Sequence, residues 1–175
     1  MLCGLSIRNI VLIDSLDLSF SRGLTVLSGE TGAGKSILLD ALGVALGGRV
    51  DTSMRRDGAP QASVTATFEI KNHEFIKEFF DKFGLSVNDP EEQLLHLRRV
   101  INDDGRTRAF INDQPVTANM LREIGDLLVE IQGQFDAQGL LNSRTHLKFL
   151  DLFANHTELL SRVAEAYSLL SNAKL

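Results

Sequence analysis

The chain has 175 residues, 43% of them hydrophobic and 23% charged, with a formal net charge of −5. That length fits one domain with room for a small further element, the hydrophobic share suffices for a packed core, and the negative balance excludes a generally basic nucleic-acid coat, so any DNA contact is a local patch or lies outside this chain. A single cysteine, Cys3, excludes an internal disulfide and agrees with a reducing, cytoplasmic setting, and no apolar run reaches the roughly 18 residues of a membrane span.

The opening MLCGLSIRNIVLID is apolar but lacks a basic start and carries Arg8 and Asp14, so it reads as a strand and not as a leader. LDLSF predicts a second strand, with Leu16, Leu18 and Phe20 alternating with polar residues. After the turn Ser21-Arg22-Gly23, the β-prone run LTVLS at residues 24–28 suits a buried strand. GETGAGKS then occupies residues 29–36, and SILLDALGVAL continues as a helix ending at Gly47-Gly48.

Residues 51 to about 118 read as a β-rich insert. In SVTATFEI, Val64, Ala66, Phe68 and Ile70 share one face. EFIKEFFDKFG has helical spacing, with Phe75, Phe79 and Phe83 on one side and Gly84 as the stop. LLHLRRVI and RTRAFIN flank the turn Asn102-Asp103-Asp104-Gly105, which predicts a hairpin, and a second turn, NDQP, ends it at Pro115. Residues 119–175 read mostly as helix: NMLREIGDLLVEI is amphipathic, QGQFDAQG breaks it, and no Gly or Pro follows Gly139. In that tail Phe149, Phe153, His156, Leu160, Val163, Tyr167 and Leu170 fall at alternating spacings of four and three. This is either a short heptad seam or an ordinary amphipathic helix packed on a core. The pattern stops without a cap or turn, as in a cut fragment.

The octet fits G-x-x-x-x-G-K-[ST] as Gly29, Gly34, Lys35 and Ser36, around Glu30, Thr31, Gly32 and Ala33. A strand candidate precedes it and a helix follows, which is the context a phosphate-binding loop needs. Its glycines allow backbone N–H groups to turn inward around a β-phosphate, and the new helix aims its positive end at the anion. Lys35 would reach the β- and γ-phosphates and the Ser36 hydroxyl would hold Mg²⁺. Hydrolysis also needs a carboxylate for the metal, four apolar residues ending in Asp, and neither HLKFLD nor DLLVE supplies it convincingly. The fold class that follows is α/β of the P-loop type.

GETGAGKSILLDALGVALGGR, its lead-in LSIRNIVLIDSLDLSFSRGLTVLSG, and the later segments RTRAFINDQPV and LVEIQGQFDAQGLLNSRTHLKFLD resemble the RecN family of bacterial DNA-repair proteins, SMC-like members of the ABC ATPase class. The resemblance runs from residue 1 to about 155. It implies the N-terminal half of an ATPase head, with a mixed sheet, a β-rich lobe and a C-terminal helix starting a coiled coil. Residues 1–145 would then be the head half, made of 1–50, the insert 51–118 and the helix and Q-loop 119–145, with 146–175 as the start of the coiled coil. It further implies ATP and Mg²⁺ as cofactors, a signature motif and Walker B on the C-terminal half of the same parent chain, a head-to-head homodimer, DNA as a partner, no membrane, and a cytoplasmic, nucleoid-associated protein acting in double-strand break repair and recombination. By the same resemblance Gln134 is the Q-loop glutamine and a Mg²⁺ ligand, with Gln132 as its rival. The family usually carries IHGQH where this chain has IQGQF, a departure at Gln132 and Phe135.

Arg55, Arg56, Arg98, Arg99, Arg106 and Arg108 form either a local patch for DNA phosphates or solvated strand faces paired with Asp57, Asp103 and Asp104, and the net charge favours the second. Arg8 and Asn9, on the first strand, are weaker candidates for approaching a nucleotide. Arg49 reads as structural. The four histidines, His73, His96, His146 and His156, lack metal-ligand spacing. Three functional classes remain: half of an SMC-like ATPase head, a self-contained small-molecule kinase, and a non-catalytic DNA-binding module stabilised by nucleotide. The first is favoured for the parent protein, with little hydrolysis from this chain alone. A kinase would carry its own acidic Mg²⁺ ligand and basic lid.

Overall fold

A computed structural model describes residues 1–29, 34–70, 74–85, 94–129, 131, 146–147, 150–151, 153–154 and 156–173. Two compact units are present, Met1–Val129 and Glu130–Leu175.

The first unit is built on a six-stranded sheet. Its strands are β1 (Leu2–Ile10), β2 (Ile13–Ser19), β3 (Gln61–Glu69), β4 (Leu94–Asn102), β5 (Thr107–Ile111) and β6 (Gln114–Val116), in the order β2-β1-β3-β4-β5-β6. Every pairing between them is antiparallel. β1 lies directly against β3, so the strands before the phosphate loop and those of the β-rich stretch share one sheet.

Period-two alternation explains which face is buried. Leu5 and Ile7 of β1, Ala62, Val64, Ala66 and Phe68 of β3, and Leu95, Leu97 and Ile101 of β4 all point into the core. The register stacks them, with Ile7 opposite Val64, Ala66 opposite Leu97 and Phe68 opposite Leu95. Helix α1 (Lys35–Ala45) covers this face with Ala41, Leu42, Val44 and Ala45, and α3 (Ala118–Leu128) with Leu121 and Ile124. Helix α2 (Glu74–Phe83) buries Ile76, Phe79 and Phe80, and Phe79 meets Phe83 at a centroid distance of 4.6 Å. Gly84, at φ +65°, ends it as the sequence predicts.

The two covering helices meet backbone to backbone. A Cβ on Gly47 would lie 2.5 Å from the Arg122 amide nitrogen, and one on Gly125 would lie 2.8 Å from the Leu46 carbonyl oxygen. Gly47 also holds φ +84°, so it both ends α1 and lets α3 approach.

Three local readings differ from the structure. LTVLS is no strand: no described strand pairs with residues 24–28, and the run lies exposed. The hairpin does not end at Pro115. Asn112 and Asp113 take φ +45° and +63°, a type I′ geometry, and Pro115 sits inside β6 opposite Phe110. Pro is tolerated there because β6 is an edge strand that donates few ladder hydrogen bonds. The tail is not one continuous helix among the described residues. Helix α4 runs Thr157–Ala173, and at His156, just before it, the ring Nδ1 lies 3.2 Å from Asp151 Oδ1. Leu160, Val163, Tyr167 and Leu170 along α4 are exposed.

Candidate nucleotide-binding site

The phosphate loop opens where the exposed run 24–28 ends and closes at the start of α1. Gly34 is the residue before the helix and takes φ +86°, ψ 8°, the left-handed conformation that glycine adopts without strain. A Cβ there would meet only Ile37 Cδ1 at 3.9 Å, so backbone conformation, not space, demands glycine. Lys35 follows Gly34 as the first residue of α1, and its Nζ donates to the Gly29 carbonyl oxygen. No side chain caps the amino end of α1, and no acidic residue stands in its first turn. Among the described residues, the helix therefore presents its positive end with no side-chain cap and no carboxylate in its first turn. Ser36 is exposed on the first turn.

This donor set fits a polyphosphate: a lysine ammonium, the amino end of an eleven-residue helix and a hydroxyl, all at one mouth. Glu30, Thr31, Gly32 and Ala33 lie outside the described residues, as do Gln132 and Gln134 of the predicted Q-loop.

The other sequence candidates are dispersed. Arg8 binds both Asp17 carboxylate oxygens, at 2.9 and 2.7 Å, together with the Leu16 carbonyl. That hydrogen bond raises the Arg8 pKa and lowers that of Asp17. Asn9 donates to the Gln61 carbonyl. Arg56 pairs with Asp14 and Arg106 with Asp104, while Arg55 donates to the Ala59 carbonyl. Arg98 pairs with Asp113 at 2.7 Å and lies over the Phe110 ring at 4.6 Å. Arg98 and Arg108 occupy the outer face of β4 and β5, whereas Arg99 points the other way, into the core row. The six arginines therefore do not converge on one surface. His96 hydrogen-bonds Thr67, and no group of three or more possible metal ligands occurs among the described residues.

Arg99 is the residue that sequence reading grouped wrongly. The signal was available, because position 99 falls on the Leu95–Leu97–Ile101 side of the alternation.

A phosphate-loop motif joined to this antiparallel sheet and its covering helices defines the class: an α/β fold of the P-loop type. Residues 4–172 match the AAA domain family, and the chain belongs to it. DNA repair protein RecN of Haemophilus influenzae is 42% identical over 172 residues, covering 98% of this chain and 31% of that protein. The chain thus spans about a third of the length of the curated relatives it matches. Among solved structures, the Smc head domain with an extended coiled coil from Pyrococcus furiosus, bound there to the C-terminal domain of ScpA, superposes with a TM-score of 0.67 at 20% identity, over 99% of this chain and 46% of that one. A chain from work on ATP-driven dimerization and DNA-stimulated activation of SMC ATPases gives 0.60 at 18% identity, over 89% of this chain and 99% of that one. The likeness to RecN read from the loop, the hairpin and the helical segments therefore extends over nearly the whole chain.

Proposed function

We propose that this chain is the ATP-binding half of an SMC-like ATPase head acting in DNA double-strand break repair and recombination. The observation that carries the reading is the run Leu24-Thr25-Val26-Leu27. It has the composition of a buried strand and leads straight into the phosphate loop, yet Leu24 is 94% exposed, Val26 75% and Leu27 47%. Apolar, β-prone backbone next to a nucleotide site calls for strands on either side, and the described residues of this chain provide none. A C-terminal head half of the same parent protein would supply them, together with Walker B and the signature motif. The 31% coverage of the RecN relative leaves ample chain for such a half.

In this reading Lys35 holds the β- and γ-phosphates as a point charge, helped by the loop amides from Gly29 to Gly34. Ser36 and Gln134 would hold Mg²⁺, which neutralises the charge developing on the transferred phosphoryl group. Residues 1–145 serve as the head half and 146–175 as the root of a coiled coil. The exposed seam Leu160, Val163, Tyr167 and Leu170 on α4 supports a returning helix as its partner. Two heads would close over ATP as a homodimer. DNA phosphates would meet the outer face of β4 and β5, where Arg108 makes no ion pair with a described residue. Arg55, Arg56, Arg98 and Arg106 are already engaged within the chain.

Hydrogen exchange tests the pairing. The amides of residues 24–28 are expected to exchange freely in this chain and to become protected when the C-terminal head half of a RecN relative is added. Exchange that stays fast in the mixture would contradict the split-head reading.

A further inference from the structure

The core face of β4 reads Leu95, Leu97, Arg99, Ile101. Arg99 is 7% exposed and stands in register between Val64 of β3 and Ala109 of β5. Its Nη2 donates to Thr107 Oγ1 at 2.7 Å, and its Nε is buried with no partner. None of the ion pairs among the described residues includes it. Burial lowers its pKa from the ordinary arginine value, yet a guanidinium keeps its proton at any physiological pH. A buried charge with no counter-ion is strongly unfavourable, so its retention in a core row calls for an anion.

The surroundings indicate where the anion would sit. Arg99 borders an open cleft of about 420 Å³ that also meets Thr107, Thr117 and Ala118. Thr117 is the N-cap of α3 and Ala118 its first residue, so the cleft joins a guanidinium to the amino end of an eleven-residue helix, two features of the same sign. No residue lining the cleft is acidic. Thr107 Oγ1 accepts from Arg99 and Thr117 Oγ1 accepts from the Met120 amide at 3.2 Å, which leaves each hydroxyl proton to be donated elsewhere. Ala109, Pro115 and Val116 add apolar wall, and a low local dielectric strengthens whatever charged contact forms beside it.

We infer that this cleft is a second oxyanion site, of the phosphate class, in which Arg99, the hydroxyls of Thr107 and Thr117 and the amino end of α3 hold a tetrahedral anion. Donors converging from several directions suit a tetrahedral oxyanion better than a planar one. The site is separate from the phosphate loop, being built on α3 and not on α1. Two sources share this chemistry: free inorganic phosphate, and the backbone phosphate of a nucleic acid.

The test is a titration of the isotope-labelled chain, carrying Lys35→Ala to weaken the phosphate loop, with inorganic phosphate at constant ionic strength. The Arg99 Nε–H and Ala118 amide resonances are followed. Both are expected to move along one saturating curve. Arg99→Leu, which keeps bulk in the core row and removes the charge, is expected to weaken the response at Ala118 by roughly tenfold or more in affinity. A parallel titration with a short DNA duplex separates the sources. Saturation of the same two resonances by DNA assigns a backbone phosphate, and saturation by inorganic phosphate alone assigns a free oxyanion. The inference is overturned if neither titrant moves both resonances to saturation, a readout that does not depend on the Arg99 variant folding. It is also overturned if Ala118 responds unchanged in Arg99→Leu.

Discussion

On the proposed function, Lys35 concentrates the energetics of phosphate binding in one side chain. It reaches back to the Gly29 carbonyl from the first turn of α1, and a polyphosphate offers it a far stronger partner than that carbonyl. Lys35→Ala is therefore predicted to weaken ATP binding by roughly tenfold to a hundredfold, which corresponds to about 1.4–3 kcal/mol. Stability should change by only about 0.5 kcal/mol, because no core contact is lost. Calorimetric titration and thermal denaturation of the same variant separate the two effects. A second residue-scale prediction concerns acid. The Arg8 guanidinium, and then Ser6, hold the Asp17 carboxyl below the ordinary aspartate value of 3.8, and the Ser53 amide does the same for Asp51 at the 3-10 turn Thr52–Met54. A lowered folded-state pKa gives stability that is present above the unfolded value and lost as pH falls through the folded one. The thermal midpoint should therefore fall as pH drops below 3.8, and less steeply in an Asp17→Asn, Asp51→Asn double variant. Both carboxylates lie at the surface, so the difference is small and should shrink further in high salt.

At the scale of elements, the close crossing of α1 and α3 is the feature most sensitive to a single methyl group. Gly47→Ala would set a Cβ 2.5 Å from the Arg122 amide nitrogen on a backbone held at φ +84°. A loss of about 2 kcal/mol or more is predicted, read by denaturant unfolding. An unchanged midpoint would mean that the two helices do not pack as described. The strands of the insert were legible in the sequence, because alternation such as Val64, Ala66 and Phe68 has one physical reading when a single face is buried, but their union with β1 and β2 in one antiparallel sheet was not. The helix ends at Gly47 and Gly84 were legible because a left-handed stop favours glycine. What escaped depended on tertiary context. LTVLS carries a strand's composition, but composition cannot say whether a neighbouring strand exists. The heptad spacing across Phe153 and His156 continues through a point where the described helix α4 only begins. The grouping of Arg98 with Arg99 ignored that adjacent strand residues point to opposite faces.

At the scale of the whole molecule, the GETGAGKS motif is read from the sequence, and the structure adds the left-handed Gly34 turn and the uncapped amino end of α1. The two units, Met1–Val129 and Glu130–Leu175, hold the exposed apolar run beside the loop and the exposed seam of α4, respectively. Both are apolar surfaces that the described residues leave uncovered, and the split ATPase head proposed above would account for both together. ATP hydrolysis tests that account most directly, measured on this chain alone and after mixing with the C-terminal head half of a RecN relative, with and without DNA. Turnover is predicted only in the mixture, and Lys35→Ala should abolish it. Robust hydrolysis by the 175-residue chain alone, lost in Lys35→Ala, would contradict the account and locate the catalytic carboxylate within this chain.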